Sequence, residues 1–196
     1  ADLLTRLITS WRAAWAQPDL PFLFVQLPNF IEPRDPTGVS WAWFREAQTR
    51  VLATPHTGMA VTIDVGEPDQ IHPRNKQAVG HRLALLALAD IYGREIAAHA
   101  PVFDQHSVKA GEIHLTFKNS AGGLVARGET ITGCIIAGTD RVWHPATARI
   151  EGDHLVVSSA AVPAPVAARY GWANNPACNL YNRADLPLVP FRTDSW

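Results

Sequence analysis

Helical and strand-like spacings of apolar residues alternate over residues 1–100. Apolar side chains recur every three or four positions over residues 2–16, which predicts an amphipathic helix that packs on a sheet. The runs 22–27 and 58–65 are short and almost continuously apolar, which is typical of strands that a parallel sheet buries on both faces. We therefore expect two buried, parallel strands in this part of the chain.

Two further helices complete the pattern. One is predicted over residues 41–52, with Ser40 as its N-cap, and the other over residues 75–92, with Gly93 just past its end. Helices that alternate with apolar strands form βαβ units, so residues 1–100 are predicted to form an α/β domain with a parallel sheet. Two strands are too few for an independent doubly wound sheet. We expect the first part of that domain to lie outside this chain.

The hydrophobic pattern changes after Pro101. Polar and apolar residues alternate over 112–117, and residues 149–157 are typical of a β-hairpin. Short predicted strands separated by Gly, Pro and Asn continue from there, so we expect an all-β, sandwich-like module over residues 101–196. The end of the chain stays apolar, which predicts that it packs on a core.

Composition narrows the functional classes. The chain has 196 residues, 47% hydrophobic and 18% charged, with a net charge of -1. These values are typical of a globular protein, and the chain lacks the basic excess of a nucleic-acid-binding domain. No apolar run reaches the roughly 18 residues of a membrane span. Cys134 and Cys178 are the only cysteines, and neither they nor the histidines have the spacing of a metal site, although a disulfide between the two cysteines stays open.

Asp69 and His72 carry the chemistry that we expect of the chain. They lie between the second strand and the third helix, and the loop over residues 28–38 follows the first strand. Both loops are therefore predicted at the carboxyl ends of the strands, where α/β proteins bind ligands. A His in such a loop can accept a proton from a serine while a nearby carboxylate fixes its tautomer. The alternative is that His72 has no catalytic role and is simply part of a turn before the helix.

Other residues fit this chemistry less well. Asp64 lies inside the strand pattern and is expected to be structural, and Glu67 is expected to be solvated. No serine has the glycine-rich setting at a strand end that a nucleophile needs. The serines considered lie in predicted helices, caps or the β module: Ser10, Ser40, Ser107, Ser120, Ser158 and Ser159. The sequence thus predicts the acid/base part of a hydrolase whose nucleophile is elsewhere.

Several segments carry a family resemblance. The segments 22–30, 61–67 and 71–84 resemble the last conserved block of the SGNH (GDSL-like) esterases related to sialate O-acetylesterase. The end of the chain is similar to the C-terminal β region of the same proteins, in the segments 136–140, 144–148, 169–173, 179–182, 186–187 and 190–192. The runs Ile-His-Pro-Arg-Asn-Lys and Asn-Leu-Tyr-Asn are the most specific of these matches.

The resemblance implies a fold and an activity. The fold would be the C-terminal half of an SGNH three-layer αβα domain, followed by the sandwich-like module. The activity would be removal of O-acetyl groups from carbohydrates, of sialate or plant-glycan type, by a Ser-His-Asp mechanism without metal or organic cofactor. His72 matches the catalytic histidine of the family. Asp69 matches the usual spacing of the family, in which the acidic residue lies three positions before the histidine. Relatives in this subgroup often carry the acidic residue one place later, where this chain has Gln70.

The resemblance also implies a partner. The serine block of the family and its oxyanion-hole residues precede the matched region, so we expect an N-terminal segment or chain to supply them. Relatives tend to be exported, which implies a periplasmic or secreted location. Two alternatives remain from the sequence: a noncatalytic carbohydrate-binding or structural subunit, and a complete hydrolase that uses an unrecognised serine.

Overall fold

Two parallel strands and the helices around them form the first part of the computed structural model, which describes residues 1–120 and 122–196. The elements in chain order are α1 (Asp2–Ala14), β1 (Phe22–Val25), α2 (Ser40–Arg50), a 3-10 turn (Val51–Ala53), β2 (Thr57–Ala60) and α3 (Lys76–Asp90). β1 and β2 pair in parallel, with Phe22 opposite Thr57 and Val25 opposite Ala60. Within the described ranges, no helix has the length and apolar character needed to cross a membrane.

The starts of α2 and α3 are capped in different ways. Asn75 caps α3, because its side-chain oxygen accepts the Ala78 N–H at 3.1 Å. Ser40, predicted as the N-cap of α2, is instead the first helical residue. Its N–H donates to the carboxylate of Asp35 at 2.8 Å. A carboxylate from the preceding loop thus satisfies this N–H, and it also suits the positive end of the helix dipole.

The apolar stripe of α1 is not buried as predicted. Ile8 and Arg12 are the buried residues of this helix. Leu3 is 85% exposed and Trp15 is 59% exposed, and Leu7 and Trp11 are about half exposed. Val25 of β1 is also 37% exposed, although the continuous apolar run predicted burial on both faces. The described part of the chain does not provide enough neighbouring structure to cover these side chains.

The outer edge of β1 carries a side chain in place of a strand. In a parallel ladder, one residue of the neighbouring strand donates to a carbonyl and accepts from the N–H two positions further on. Gln48 of α2 makes both bonds with its amide. Its Nε2 donates to the Val25 carbonyl at 3.1 Å, and its Oε1 accepts the Leu27 N–H at 2.9 Å. Among the described strands, β1 pairs with β2 alone.

Antiparallel strands fill the second part of the chain. They are β3 (Val102–Lys109), β4 (Glu112–Lys118), β5 (Leu124–Ala126), β6 (Cys134–Ala137), β7 (Trp143–Pro145), β8 (Thr147–Glu151), β9 (His154–Ser158), β10 (Ala167–Tyr170), β11 (Leu180–Asn182) and β12 (Phe191–Arg192). Two four-stranded sheets, β12-β10-β6-β7 and β3-β4-β9-β8, accompany a β11-β5 pair. The predicted hairpin is confirmed, because β8 and β9 pair with Glu151 opposite His154.

One apolar core joins the two four-stranded sheets. Ile113 and Leu155 from one sheet pack in the same cluster as Ile136 and Tyr170 from the other. The apolar residues near the end of the chain are buried, as predicted, except for Trp196, which is 36% exposed. Of these residues, Leu186 and Val189 belong to a second cluster with Met59, Val61 and Ile63 of the α/β part. The mixed α/β fold is therefore held together by apolar contacts between its first and second parts.

Candidate active site

The loops that follow β1 and β2 lie against each other. Ile31, in the first loop, donates its N–H to the Pro68 carbonyl of the second at 2.8 Å. Gly66 packs so closely on Asn29 that an added Cβ would lie 2.1 Å from the Asn29 carbonyl oxygen. The two loops therefore form one surface beyond the carboxyl ends of the parallel strands, where ligands bind in α/β folds.

His72 lies on this surface with its side chain exposed. Its backbone N–H donates to the Gln70 side-chain oxygen at 3.2 Å, and Pro73 after it is buried. The Asn75 cap of α3 follows two residues later. Over the described ranges, no hydrogen bond or ion pair engages the imidazole. Both ring nitrogens are thus open to a group brought from outside, while the backbone at His72 is fixed on both sides.

Asp69 lies in a tight turn beside His72. The Gln70 N–H donates to the Glu67 carbonyl at 3.2 Å, which places Pro68 and Asp69 at the centre of the turn. The Asp69 side chain is exposed, and within residues 1–120 and 122–196 nothing pairs with it. The structure does not join Asp69 to His72. The Gln70 side chain, at the position where relatives often carry the acid, instead contacts the His72 backbone.

The two competing carboxylates are engaged elsewhere. Asp64 is structural, as predicted, because both of its oxygens accept hydrogen bonds from the Arg82 guanidinium. Glu67 was predicted to be solvated, but it holds the start of the next segment. Its carboxylate accepts the Arg74 N–H at 2.8 Å and lies 3.5 Å from the Arg74 guanidinium. Of these acids near His72, Asp69 is the one without a partner in the described part of the chain.

Arg45 is a site-building residue that the sequence pattern did not reveal. It is fully buried in α2, and its guanidinium donates to the carbonyls of Leu27, Pro28, Ala173 and Asn174 at 2.6–3.0 Å. Burial lowers the pKa of Arg45 to about 10, which still leaves it charged at neutral pH. Its spacing could have indicated that it is buried, because Arg45 lies four residues after the buried Trp41, on the inner stripe of α2.

The described residues offer no metal centre and no thiol nucleophile. No group of three His, Cys, Asp or Glu side chains within the described ranges is placed to hold a metal ion. Cys134 and Cys178 are both free thiols. Burial raises the pKa of each thiol to about 12, so both stay protonated and weakly nucleophilic.

Comparisons with known proteins reveal relatives of one activity class. No protein-family model matches the chain. Sialate O-acetylesterase of Mus musculus is 27% identical over 216 residues, covering 96% of this chain and 40% of the relative. The Rattus norvegicus protein is also 27% identical, over 97% of this chain and 40% of its own length.

A solved structure gives a closer match. The crystal structure of a carbohydrate acetylesterase from Xanthomonas citri has a TM-score of 0.94 and 49% identity to this chain. The match covers 98% of this chain and 45% of that one. The chain thus spans less than half the length of the proteins that it matches. Because all three similarities extend over nearly all of its residues, the chain is an acetylesterase-related protein.

Proposed function

We propose that the chain is the C-terminal part of a serine esterase that removes O-acetyl groups from carbohydrates. Residues 1–100 would be the C-terminal half of an SGNH domain, and residues 101–196 a sandwich-like module. The observation that carries the proposal is the placement of His72: its exposed imidazole, which pairs with no described residue, lies in the loop after β2, beside the loop after β1. The similarity to sialate and carbohydrate acetylesterases supports the reaction class.

His72 would act as base and then as acid in this reaction. It takes the proton from a serine hydroxyl as the serine oxygen bonds to the acetyl carbonyl carbon. The tetrahedral intermediate then breaks its bond to the sugar oxygen, which receives the proton from His72. Water attacks the acetyl-serine with His72 again as base, so that acetate leaves and the serine regains its proton.

Asp69 would orient the imidazole and stabilise its charged form. Its carboxylate is unpaired among the described residues, whereas Asp64 and Glu67 already hold Arg82 and Arg74. Asp69 must move toward His72 to act in this way. Only Gln70 and Ile71 separate the two residues along the chain, and both of their side chains are exposed.

The serine and the oxyanion hole would come from an N-terminal segment or chain. Three features of the described residues support such a partner: the exposed apolar residues of α1, the edge of β1 ahead of Val25, with which no described strand pairs, and a groove of about 480 Å³ lined by residues of α1 and α2. Leu3, Leu4, Phe44, Ala47 and Gln48 contribute to the lining of the groove. A parallel strand that pairs with β1 ahead of Val25 and turns an apolar face toward this groove would cover all three features.

Purification from the native host tests this proposal. The chain would be tagged at its C-terminus, and the purified material would be assayed for acetate release from O-acetylated sialic acid and acetylated xylan. A fluorophosphonate probe would then label the active serine for peptide mapping. We expect the label on a serine outside these 196 residues. A label on a serine of this chain would favour a complete hydrolase, and glycan binding without label or turnover would favour a noncatalytic subunit.

A further inference from the structure

Asn174, in the second part of the chain, uses all of its polar groups to hold the loop that follows β1 and the start of α2. It lies four residues after β10 and is 5% exposed. Its N–H donates to the Gly38 carbonyl at 2.7 Å, and its carbonyl accepts the Phe30 N–H at 3.1 Å. Its side-chain oxygen accepts the Trp41 N–H at 2.9 Å, and its side-chain nitrogen donates to the Asp35 carboxylate at 2.8 Å.

Arg45 holds the same junction from α2. It donates to carbonyls on both sides, Leu27 and Pro28 in the loop after β1 and Ala173 and Asn174 in the β module. Among residues 1–120 and 122–196 no carboxylate shares these bonds, so the described partners that compensate the buried guanidinium charge are carbonyl dipoles. Such an arrangement is unfavourable to break, because a displaced loop would leave a buried charge without partners.

This junction continues to the turn that carries Asp69. Phe30, held by Asn174, precedes Ile31, whose N–H donates to the Pro68 carbonyl. Asn29, one residue earlier, donates from its amide to the Asn175 side chain at 2.8 Å and packs on Gly66. The position of the 67–70 turn therefore depends on the loop after β1, and that loop depends on the segment around Asn174.

We infer that Asn174 is a positioning residue for the candidate site, and that the β module is thereby a structural part of that site. Asparagine suits the position because its amide both accepts from Trp41 and donates to Asp35. Aspartate cannot donate when ionised, and it would place a second negative charge beside Asp35. The part of this inference that concerns turnover rests on the proposed esterase function.

Hydrogen exchange of this chain tests the first part of the inference. We expect Asn174→Ala and Asn174→Asp to raise exchange over residues 29–40 by about tenfold or more. Asp35→Ala removes the loop carboxylate that accepts from the Asn174 amide. We expect it to raise exchange over the same residues, so it tests the contact even if the Asn174 variants fold poorly. Asn179→Ala is the matched control, because its side-chain amide also bonds to main-chain groups, making three hydrogen bonds where that of Asn174 makes two. Its partners, Arg127, Thr130 and Thr132, lie away from the loop.

The second part is tested in the complete native enzyme. The rate of acetate release would be divided by the number of serines titrated with a fluorophosphonate. This gives the turnover of each active site, so a smaller amount of folded enzyme does not lower the measured value. We expect kcat per titrated serine to fall about tenfold in Asn174→Ala and to change little in Asn179→Ala.

Two results would overturn the inference: exchange over residues 29–40 no higher than in Asn179→Ala, or unchanged kcat per titrated serine. If the wild-type enzyme released no acetate, the esterase proposal would fail, whereas the exchange data would still decide whether Asn174 positions the loop.

Discussion

Arg82 of α3 donates two parallel hydrogen bonds to the carboxylate of Asp64, each with an N···O distance of 2.7 Å. The two side chains are 9% and 7% exposed. Arg82 also donates to the Val61 carbonyl at 2.6 Å, and the Tyr181 hydroxyl donates to Asp64 at 3.2 Å. The pair thus connects the end of β2, α3 and the β module, which explains why Asp64 is unsuited to orient His72.

Replacing Asp64 should be costly because it leaves a buried charge unpaired. We expect Asp64→Asn to lower the free energy of unfolding by about 3 kcal/mol, measured by urea denaturation. Arg149 and Glu112 offer a matched control, since they form the same bidentate geometry at 2.8 Å on an exposed surface. Glu112→Gln should change stability only slightly. Equal losses in the two variants would contradict the role given to burial.

Removing the His72 imidazole should abolish turnover in the complete enzyme. We expect His72→Ala to lower kcat by about a thousandfold or more, because the proposed mechanism moves the serine proton through this imidazole. The measurement is acetate release at saturating substrate. His81→Ala, an exposed histidine on α3, should behave like the wild type. Near-normal turnover in His72→Ala would remove this residue from the mechanism.

Gly66 and Gly80 should respond in opposite directions to the same substitution. A Cβ at Gly66 would lie 2.1 Å from the Asn29 carbonyl oxygen, whereas a Cβ at Gly80 in α3 meets nothing within 4 Å. We expect Gly66→Ala to destabilise the chain by about 3 kcal/mol. Gly80→Ala should stabilise it by about 1 kcal/mol, because alanine favours a helix interior. The free energy of unfolding of both variants, measured by denaturant titration, checks this prediction. An unchanged free energy of unfolding in Gly66→Ala would show that the two loops are not in close contact.

Acid should loosen the loop after β1 through Asp35. Hydrogen bonds from the Thr37 side chain and the Ser40 N–H hold the pKa of this carboxyl well below its usual range. A depressed pKa means that the carboxylate stabilises the folded loop above the unfolded pKa of about 3.9, and that this stabilisation is lost as the pH falls below it. We expect exchange over residues 29–40 to rise, after correction for intrinsic rates, between about pH 4.5 and pH 2.5.

Asp35→Asn provides the comparison for this effect. The amide does not titrate, so the corrected exchange of the loop should start higher and depend less on pH. If the wild type and the variant showed the same pH dependence, the effect would have to come from groups other than Asp35.

Local signals predicted much of the fold. The third helix, predicted over residues 75–92, is found at Lys76–Asp90, and the turn between β8 and β9 follows from Gly152 within an alternating pattern. These features depend on neighbours a few residues away. Burial of the α1 stripe was predicted wrongly, because periodicity shows which face of a helix is apolar but not whether this chain provides something to cover it.

The candidate site was predictable only in part. The strand-loop-helix order located His72, since that order places the loop at a defined edge of the sheet. The spacing of Asp69 from His72 did not determine their contact, because the intervening turn directs each side chain separately. Arg45 and Asn174 are 129 positions apart, and their contact depends on how the β module packs on α2. No local pattern in the sequence encodes such a contact.

The amide of Gln48 also limits which strands can pair with the edge of β1. An unpaired strand edge is a template for aggregation, and proteins commonly obstruct such edges with side chains. Gln48 occupies the hydrogen-bonding positions at Val25 and Leu27, so an incoming strand can pair with β1 only ahead of Val25. Gln48 therefore obstructs non-specific strand pairing at this edge. It also restricts the register of a partner strand, because only a short stretch of the edge around Leu23 is left for pairing.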